Sequence, residues 1–243
     1  MKVLKIGLTS KGRLYEGTRL WFSELGLNLD HNIEGREYSA KINGSTGISV
    51  SFLTAAEIPQ ELAMGRLDLG ITGQDLIREN VPNWEEFIFE LCLLNFGYSS
   101  LVLAVPKFWV DVESLDDFDS VSTMFRKDRG FRLRIATKYH NLVWAYLRRM
   151  GVADYQLVNS RGATEGAIKN NRAEAIADIV SSGKTLEANH LKVIGEEPIL
   201  RSQAALLVSK KTNWCSQKSM LFKEFCGKIG QTCPNIFYDL QDP

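Results

Sequence analysis

Long hydrophobic runs, a charge excess of either sign, paired cysteines and clustered histidines are all missing from this sequence of 243 residues. Lysine plus arginine and aspartate plus glutamate both number 29, so the formal net charge is zero. Duplex-binding proteins carry a basic excess, and none runs through this chain. Local basic clusters remain available for a small polyanion. No apolar run approaches the roughly 20 residues of a membrane span. The apolar stretch at residues 3–8 is interrupted by Lys5 and stops at Thr9. It is too short for a signal peptide. A soluble cytoplasmic protein with no nucleic-acid or membrane partner is expected. The four cysteines, Cys92, Cys215, Cys226 and Cys233, contain no C-x-x-C pair, and His31, His140 and His190 lie far apart. Neither a zinc site nor a disulfide framework is expected.

What is present is a 44% hydrophobic chain, enough for a sizeable core in one large domain or two small ones. Apolar runs at residues 3–8, 48–53, 67–71, 87–94 and 99–105 read as strands, interleaved with helical spacing after residues 13, 56 and 74. Residues 28–47 are polar and read as a hairpin or mobile loop. Residues 110–130 turn from acidic to basic and are expected to cross between lobes, with one or two short helices. A second series follows, with strands at 133–137, 155–158, 175–180, 191–194 and 204–208, a helix over 141–150, and a last helix capped by Ser216. Strands alternating with helices predict an α/β fold with mostly parallel sheets, here in two lobes. Ligands then belong between the lobes, at the carboxyl ends of strands. No internal repeat is visible.

The most informative stretch is residues 178–186, Asp-Ile-Val-Ser-Ser-Gly-Lys-Thr-Leu. A short apolar run ends in a small-residue turn and a helix start. Backbone N–H groups converge at such a turn and favour an anion. Gly183-Lys184-Thr185 matches the second half of a P-loop, but its first glycine would stand at position 178, which is Asp178. An acidic residue before an anion cradle suits a ligand bearing a phosphate together with hydroxyls or a metal, as in a sugar phosphate. Glu174 and Asp178 stand four apart in the same run and would share one face of a strand. In the earlier loop Thr9-Ser10-Lys11-Gly12-Arg13, the two cations read equally well as a solvated turn or as a phosphate contact at a helix N-terminus.

Four ordered segments carry a resemblance: Thr9-Ser10-Lys11-Gly12-Arg13-Leu14, Asp68-Leu69-Gly70-Ile71-Thr72-Gly73-Gln74-Asp75-Leu76, Arg134-Ile135-Ala136-Thr137-Lys138-Tyr139, and residues 174–186. The chain resembles the ATP phosphoribosyltransferases of histidine biosynthesis over roughly residues 3–210, most strongly at 162–194. The resemblance implies transfer of a phosphoribosyl group from phosphoribosyl pyrophosphate to N1 of ATP, and a two-lobed fold like type II periplasmic binding proteins. It implies a discontinuous first lobe, 1–105 plus 200–243, and a second lobe, 106–199. Its reaction needs no Ser-His-Asp or Cys-His apparatus, because N1 is already a nucleophile, and none is visible. Positive charge develops at C1 of the sugar, so positioning and electrostatics should dominate.

By the same resemblance, Ser181, Ser182, Gly183, Lys184 and Thr185 hold the 5-phosphate, and Glu165 lies in the same region. Asp178 and Glu174 serve the ribose hydroxyls or Mg²⁺, which binds mainly through substrate. Lys11, Gly12 and Arg13 hold ATP phosphates or pyrophosphate, with Thr72, Gly73 and Asp75 on the nucleotide side. Arg36 reaches the leaving group. Thr54 stands where many members have an arginine. The length after residue 208 implies the short form, a homo-oligomer working with a regulatory subunit that resembles histidyl-tRNA synthetase. The apolar residues Phe222, Phe225, Ile236 and Phe237 would pack on the lobe or on such a partner. The alternative from another class is a non-catalytic, cytoplasmic solute-binding module.

Overall fold

The computed structural model describes residues 3–27, 29–30, 39–42, 47–160 and 162–235. The chain opens with β1 (Leu4–Thr9), α1 (Arg13–Glu24), β2 (Leu29–Asp30), β3 (Ser39–Ile42), β4 (Ile48–Leu53), α2 (Glu57–Ala63), β5 (Leu69–Gly73), α3 (Gln74–Asn80) and β6 (Ile88–Leu93). There follow β7 (Ser99–Pro106), α4 (Leu115–Arg129), β8 (Leu133–Thr137), α5 (His140–Arg149), β9 (Tyr155–Asn159), α6 (Gly166–Lys169), β10 (Ala175–Val180), α7 (Lys184–Ala188), β11 (Leu191–Ile194) and β12 (Leu200–Ser202). The described chain ends with β13 (Ala204–Ser209) and α8 (Ser216–Lys228). The helix expected to begin after a Ser216 cap has Cys215 at that place, without a side-chain cap, and Ser216 is its first residue.

Two compact units result, residues 1–97 with 203–243, and residues 98–202. The sequence had put the first boundary at 105. The strand β7 instead belongs to the second unit, because its backbone pairs with β10, β11 and β12. The acidic-to-basic stretch near 110–130 is one 15-residue helix inside that unit, not a crossing. Ser114 and Asp117 form a reciprocal capping box, Gly130 closes the C-terminus in a left-handed conformation, and Asp116 precedes Arg126, Lys127 and Arg129 along the axis. Acid at the first turn and base at the last complement the helix dipole.

Both sheets are mixed. The first has the order β2-β3-β4-β1-β5-β13-β6, and only β4, β1 and β5 run parallel. The second has the order β11-β7-β10-β8-β9, with β12 also on β7, and only β10, β8 and β9 run parallel. The expectation of mostly parallel sheets therefore holds for the centre of each unit. Antiparallel strands complete both sheets. Helices cover both faces in each unit. In the first, α1 and α8 bury Phe22, Phe222 and Phe225 on one side, while α2 and α3 bury Ile58, Leu62 and Ile77 on the other. In the second, α4 and α5 bury Phe118, Val143 and Leu147, and α6 and α7 bury Ala167 and Leu186 on the opposite face. Each large side chain so buried contributes roughly 1.5–3 kcal/mol. Phe222 and Phe225 thus belong to their own core, whereas Ile236 and Phe237 lie outside the described residues.

One supersecondary unit occurs twice. Each copy runs from a short helix through a left-handed residue, an arginine, an apolar residue and an acid into a parallel strand. The first copy is α2, Gly65, Arg66, Leu67, Asp68, β5, and the second is α6, Asn171, Arg172, Ala173, Glu174, β10. In both, the acid's backbone N–H donates to the carbonyl of a residue on the neighbouring parallel strand, Lys5 or Arg134, at 3.0 Å. Its carboxylate accepts that same residue's N–H, at 2.7 Å for Asp68 and 2.8 Å for Glu174. Each carboxylate also holds a cation, Lys218 for Asp68 and Arg134 for Glu174, both at 2.6 Å. The repeat is one of hydrogen bonding. Its shared residues are too few to surface as sequence similarity.

Candidate functional site

Parallel strands deliver their following loops to one edge of a sheet, where their carboxyl ends lie. In the second unit that edge carries the loops after β8, β9 and β10. A backbone bond ties the first two loops together, and a hydroxyl bond braces each of them. Tyr139 N donates to Thr137 Oγ1 at 2.9 Å, Ser160 N to Thr137 O at 3.0 Å, and Ser160 Oγ to Thr164 Oγ1 at 2.9 Å. Thr137 and Thr164 are fully buried. Glu165, half-buried, leads into α6 beside this network. The sequence reading gave no site role to Thr137, Ser160 or Thr164. For Ser160 and Thr164 the available signal was a pair of hydroxyls flanking Gly162 after β9; the loop after β8 carries no such run.

The third loop is the cradle itself. Gly183 caps α7 at φ 73°, ψ −13°, and a Cβ there would meet nothing within 4 Å. Its requirement for glycine is therefore one of backbone conformation, not of space. Ser181, Ser182, Lys184 and Thr185 are exposed around it, and the half-buried Asp178 stands two residues before the strand's end. Asp178 Oδ1 accepts the N–H of Ile179 at 2.9 Å. The far end of α7 is tied down: Asn189 Nδ2 donates to Thr185 O at 2.8 Å, and Lys107 N donates to His190 O at 2.8 Å. The motif at residues 188–192 is thus a structural clamp behind the loop.

Glu174 is not part of this cluster. It shares a face of the sheet with Asp178, as expected, but stands at the opposite end of β10, four strand residues or roughly 13 Å away. Its carboxylate is engaged by Arg134 through Nε at 3.2 Å and Nη2 at 2.6 Å, besides the backbone N–H. The Glu174 carboxylate in turn holds the Arg134 guanidinium charged, raising its pKa. The partner the structure gives Glu174 thus lies 40 positions back on β8, not at the loop that Asp178 precedes.

In the first unit the corresponding edge carries the loops after β1, β4 and β5. Lys11, Gly12 and Arg13 are exposed, and Gly12 adopts φ 83° just before α1. They follow β1, whose neighbour β5 carries Thr72 and Gly73 and leads into Asp75, since Gly7 stands opposite Gly70. Thr72 is fully buried and its hydroxyl donates to Ala55 O at 2.8 Å, linking β5 to the loop after β4. Asp75 is buried at the start of α3. Thr54 begins the loop after β4, and its N–H donates to Glu57 Oε2 at 2.8 Å. That bond holds the exposed Glu57 carboxyl below the usual carboxylate range. Arg36 lies outside the described residues.

Among the described residues no group of three or more His, Cys, Asp or Glu is placed to hold a metal ion. No helix among them is long and apolar enough to cross a membrane. Two mixed α/β units with loops gathered at strand carboxyl ends define a two-lobed protein of the type II periplasmic-binding fold. The substrate-binding protein of an amino-acid ABC transporter shares that fold, with a TM-score of 0.51 over 94% of this chain and 96% of that one at 14% identity. The ATP phosphoribosyl transferase (HisG:HisZ) complex from Thermotoga maritima matches at a TM-score of 0.71 over 98% of this chain and 100% of that chain, at 21% identity. The family model for ATP phosphoribosyltransferase matches residues 54–230. An ATP phosphoribosyltransferase of Cereibacter sphaeroides is 49% identical over 231 residues, covering 95% of this chain and 98% of the relative. The chain belongs to the ATP phosphoribosyltransferase family. Its reaction joins the phosphoribosyl group of phosphoribosyl pyrophosphate to N1 of ATP and releases pyrophosphate, the first step of histidine biosynthesis.

Proposed function

We propose a division of labour between the two strand edges. Phosphoribosyl pyrophosphate is held by the second unit, with its 5-phosphate on the backbone of residues 181–185 and the hydroxyls of Ser182 and Thr185. Asp178 faces the ribose hydroxyls, and Glu165 lies beside them. ATP is held by the first unit, its phosphates by Lys11, Gly12 and Arg13 and its nucleoside side by Thr72, Gly73 and Asp75. Arg36 is assigned to the departing pyrophosphate. The observation that carries this reading is the glycine-hinged turn after β10, with a half-buried carboxylate just before it, at the carboxyl edge of three parallel strands.

The chemistry follows from these positions. The N1 lone pair of adenine forms a bond to C1 as the C1–O bond to pyrophosphate breaks, and the bonding electrons leave with pyrophosphate. The Asp178 carboxylate, placed beside the ring, offsets positive charge developing at C1. Mg²⁺ belongs to the polyanionic substrate. The described side chains form no group of three or more ligands for it, and Mg²⁺ commonly binds through one or two carboxylates plus substrate phosphates. Glu174 takes a structural role: it locks the start of β10 to β8 through Arg134. The enzyme acts in the cytoplasm as a homo-oligomer with a regulatory subunit; the two-component complex from Thermotoga maritima supports the regulatory subunit.

The test is incubation with ATP, phosphoribosyl pyrophosphate and Mg²⁺, with and without that subunit. Phosphoribosyl-ATP and pyrophosphate should form in equal amounts. Absence of product with the subunit present, while ATP binding is intact, refutes the reading.

A further inference from the structure

Two buried hydroxyls in the described residues have no hydrogen-bond partner, those of Thr9 and Thr18. Both side chains are almost fully enclosed, at 2% and 1% exposure. Stranding a buried donor forfeits its hydration with nothing in return, and such a group asks for an explanation. The two differ in what surrounds them. Thr18 sits inside α1, where a threonine hydroxyl can turn onto the carbonyl one helical turn back. Thr9 is the last residue of β1 and has no such carbonyl in its own strand.

The face that Thr9 occupies follows from alternation. Leu4, Ile6 and Leu8 belong to the core under α1 and α8. Gly7 faces the other way, toward Leu67, and its neighbour Gly70 faces Ile58 and Leu62 on the α2 side. Two residues beyond the Gly7–Gly70 pair, Thr9 and Thr72 lie near the ends of their strands, and alternation puts both side chains on that same face. Thr72 has given its proton to Ala55 O, in the loop after β4. Leu53, opposite Thr9 on β4, offers only an apolar side chain. Thr9 is thus a hydroxyl at the meeting point of all three parallel carboxyl ends, walled by protein and left with a proton to donate.

We infer that Thr9 Oγ1 is a further ligand-binding group of the first unit, donating a hydrogen bond to a phosphate oxygen of ATP beneath the loop of Lys11, Gly12 and Arg13. This rests on the assignment of ATP to that edge. The unpartnered hydroxyl is then satisfied only when the nucleotide is bound. Thr9 also explains why the loop begins with a hydroxyl residue and not another aliphatic one, where Val would extend the strand equally well.

Calorimetric titration with ATP alone tests it. Thr9→Val should weaken ATP binding about ten-fold or more, the loss expected for a hydrogen bond to a charged group. Thr9→Ser should bind ATP close to the wild type, and Thr18→Val should leave ATP affinity unchanged. The ligand-free Thr9→Val protein should melt no lower than the wild type, because the substitution removes a stranded polar group. Should that variant fail to fold, Thr9→Ala removes the same hydroxyl without adding a methyl against Leu53. Unchanged ATP affinity in Thr9→Val, with a raised melting temperature, overturns the inference: the hydroxyl is then merely stranded or served by a water. Lys11→Ala separates the two levels of the argument. If it weakens ATP binding and Thr9→Val does not, only the role of Thr9 falls. If neither affects ATP, the assignment of ATP to this edge falls with it.

Discussion

Glu174→Gln and Asp178→Asn should have opposite signatures, although both remove a carboxylate from one strand. Glu174 accepts three hydrogen bonds from Arg134, and the paired side chains are 16% and 29% exposed. A glutamine keeps one carbonyl acceptor and the shape but loses the charge-assisted fork. After allowance for solvent screening at this partly open pair, the loss is about 1–2 kcal/mol. That corresponds to a fall in melting temperature of about 2–8 °C. Turnover should stay within about two-fold of the wild type, because the group lies roughly 13 Å from the loop. Asp178→Asn should behave in reverse. Asparagine Oδ1 still accepts the Ile179 N–H, so stability should change by no more than about 0.5 kcal/mol. Loss of the negative charge beside C1 should lower kcat about 100-fold or more, equivalent to about 2.7 kcal/mol of transition-state stabilisation. Thermal unfolding by circular dichroism and a phosphoribosyl-ATP assay on the same samples measure both quantities. A 100-fold loss of turnover in Glu174→Gln at an unchanged melting temperature would refute the separation argued here.

Other perturbations have distinct expected outcomes. Gly183→Val forces a β-branched residue into the left-handed region, so the affinity for phosphoribosyl pyrophosphate should fall while ATP binding is kept; equal loss of both would point to collapse of the fold. Lys218→Met leaves the buried Asp68 carboxylate with only the Lys5 N–H, and should cost about 2–4 kcal/mol by urea denaturation. Adding Asp68→Asn should recover part of that loss, and a strictly additive double mutant would contradict the pairing. Burial, with Cys233 close by, pushes the Cys226 thiol up to about 12. A raised folded-state value means the stabilisation is full below the ordinary thiol range and is lost as pH climbs from there toward about 12. Alkaline unfolding should therefore be less steep in Cys226→Ala than in the wild type.

Much of the fold was legible because it is written in local patterns. The strands at 133–137, 175–180 and 191–194 match β8, β10 and β11 residue for residue, since each is a short apolar run closed by turn residues. The helix α4 was misread because acid followed by base was taken for a change of region, when it is the charge order of a capped helix. The lobe boundary was missed by eight residues at its first crossing, because membership of β7 is decided by backbone partners and not by its own composition.

The sequence by itself determined the family, the glycine-hinged turn after Asp178, and the two loops that carry Lys11 and Thr72. Each of these is a contiguous motif, and its chemistry is carried by residue type and spacing. Only the tertiary structure decided that Glu174 answers to Arg134, that Asp68 answers to Lys218, and that Thr9 shares a sheet face with Thr72 and has its hydroxyl unpartnered. Those assignments depend on which strands become neighbours. The partners are separated by 40, 150 and 63 positions, distances over which neither periodicity nor a motif carries information.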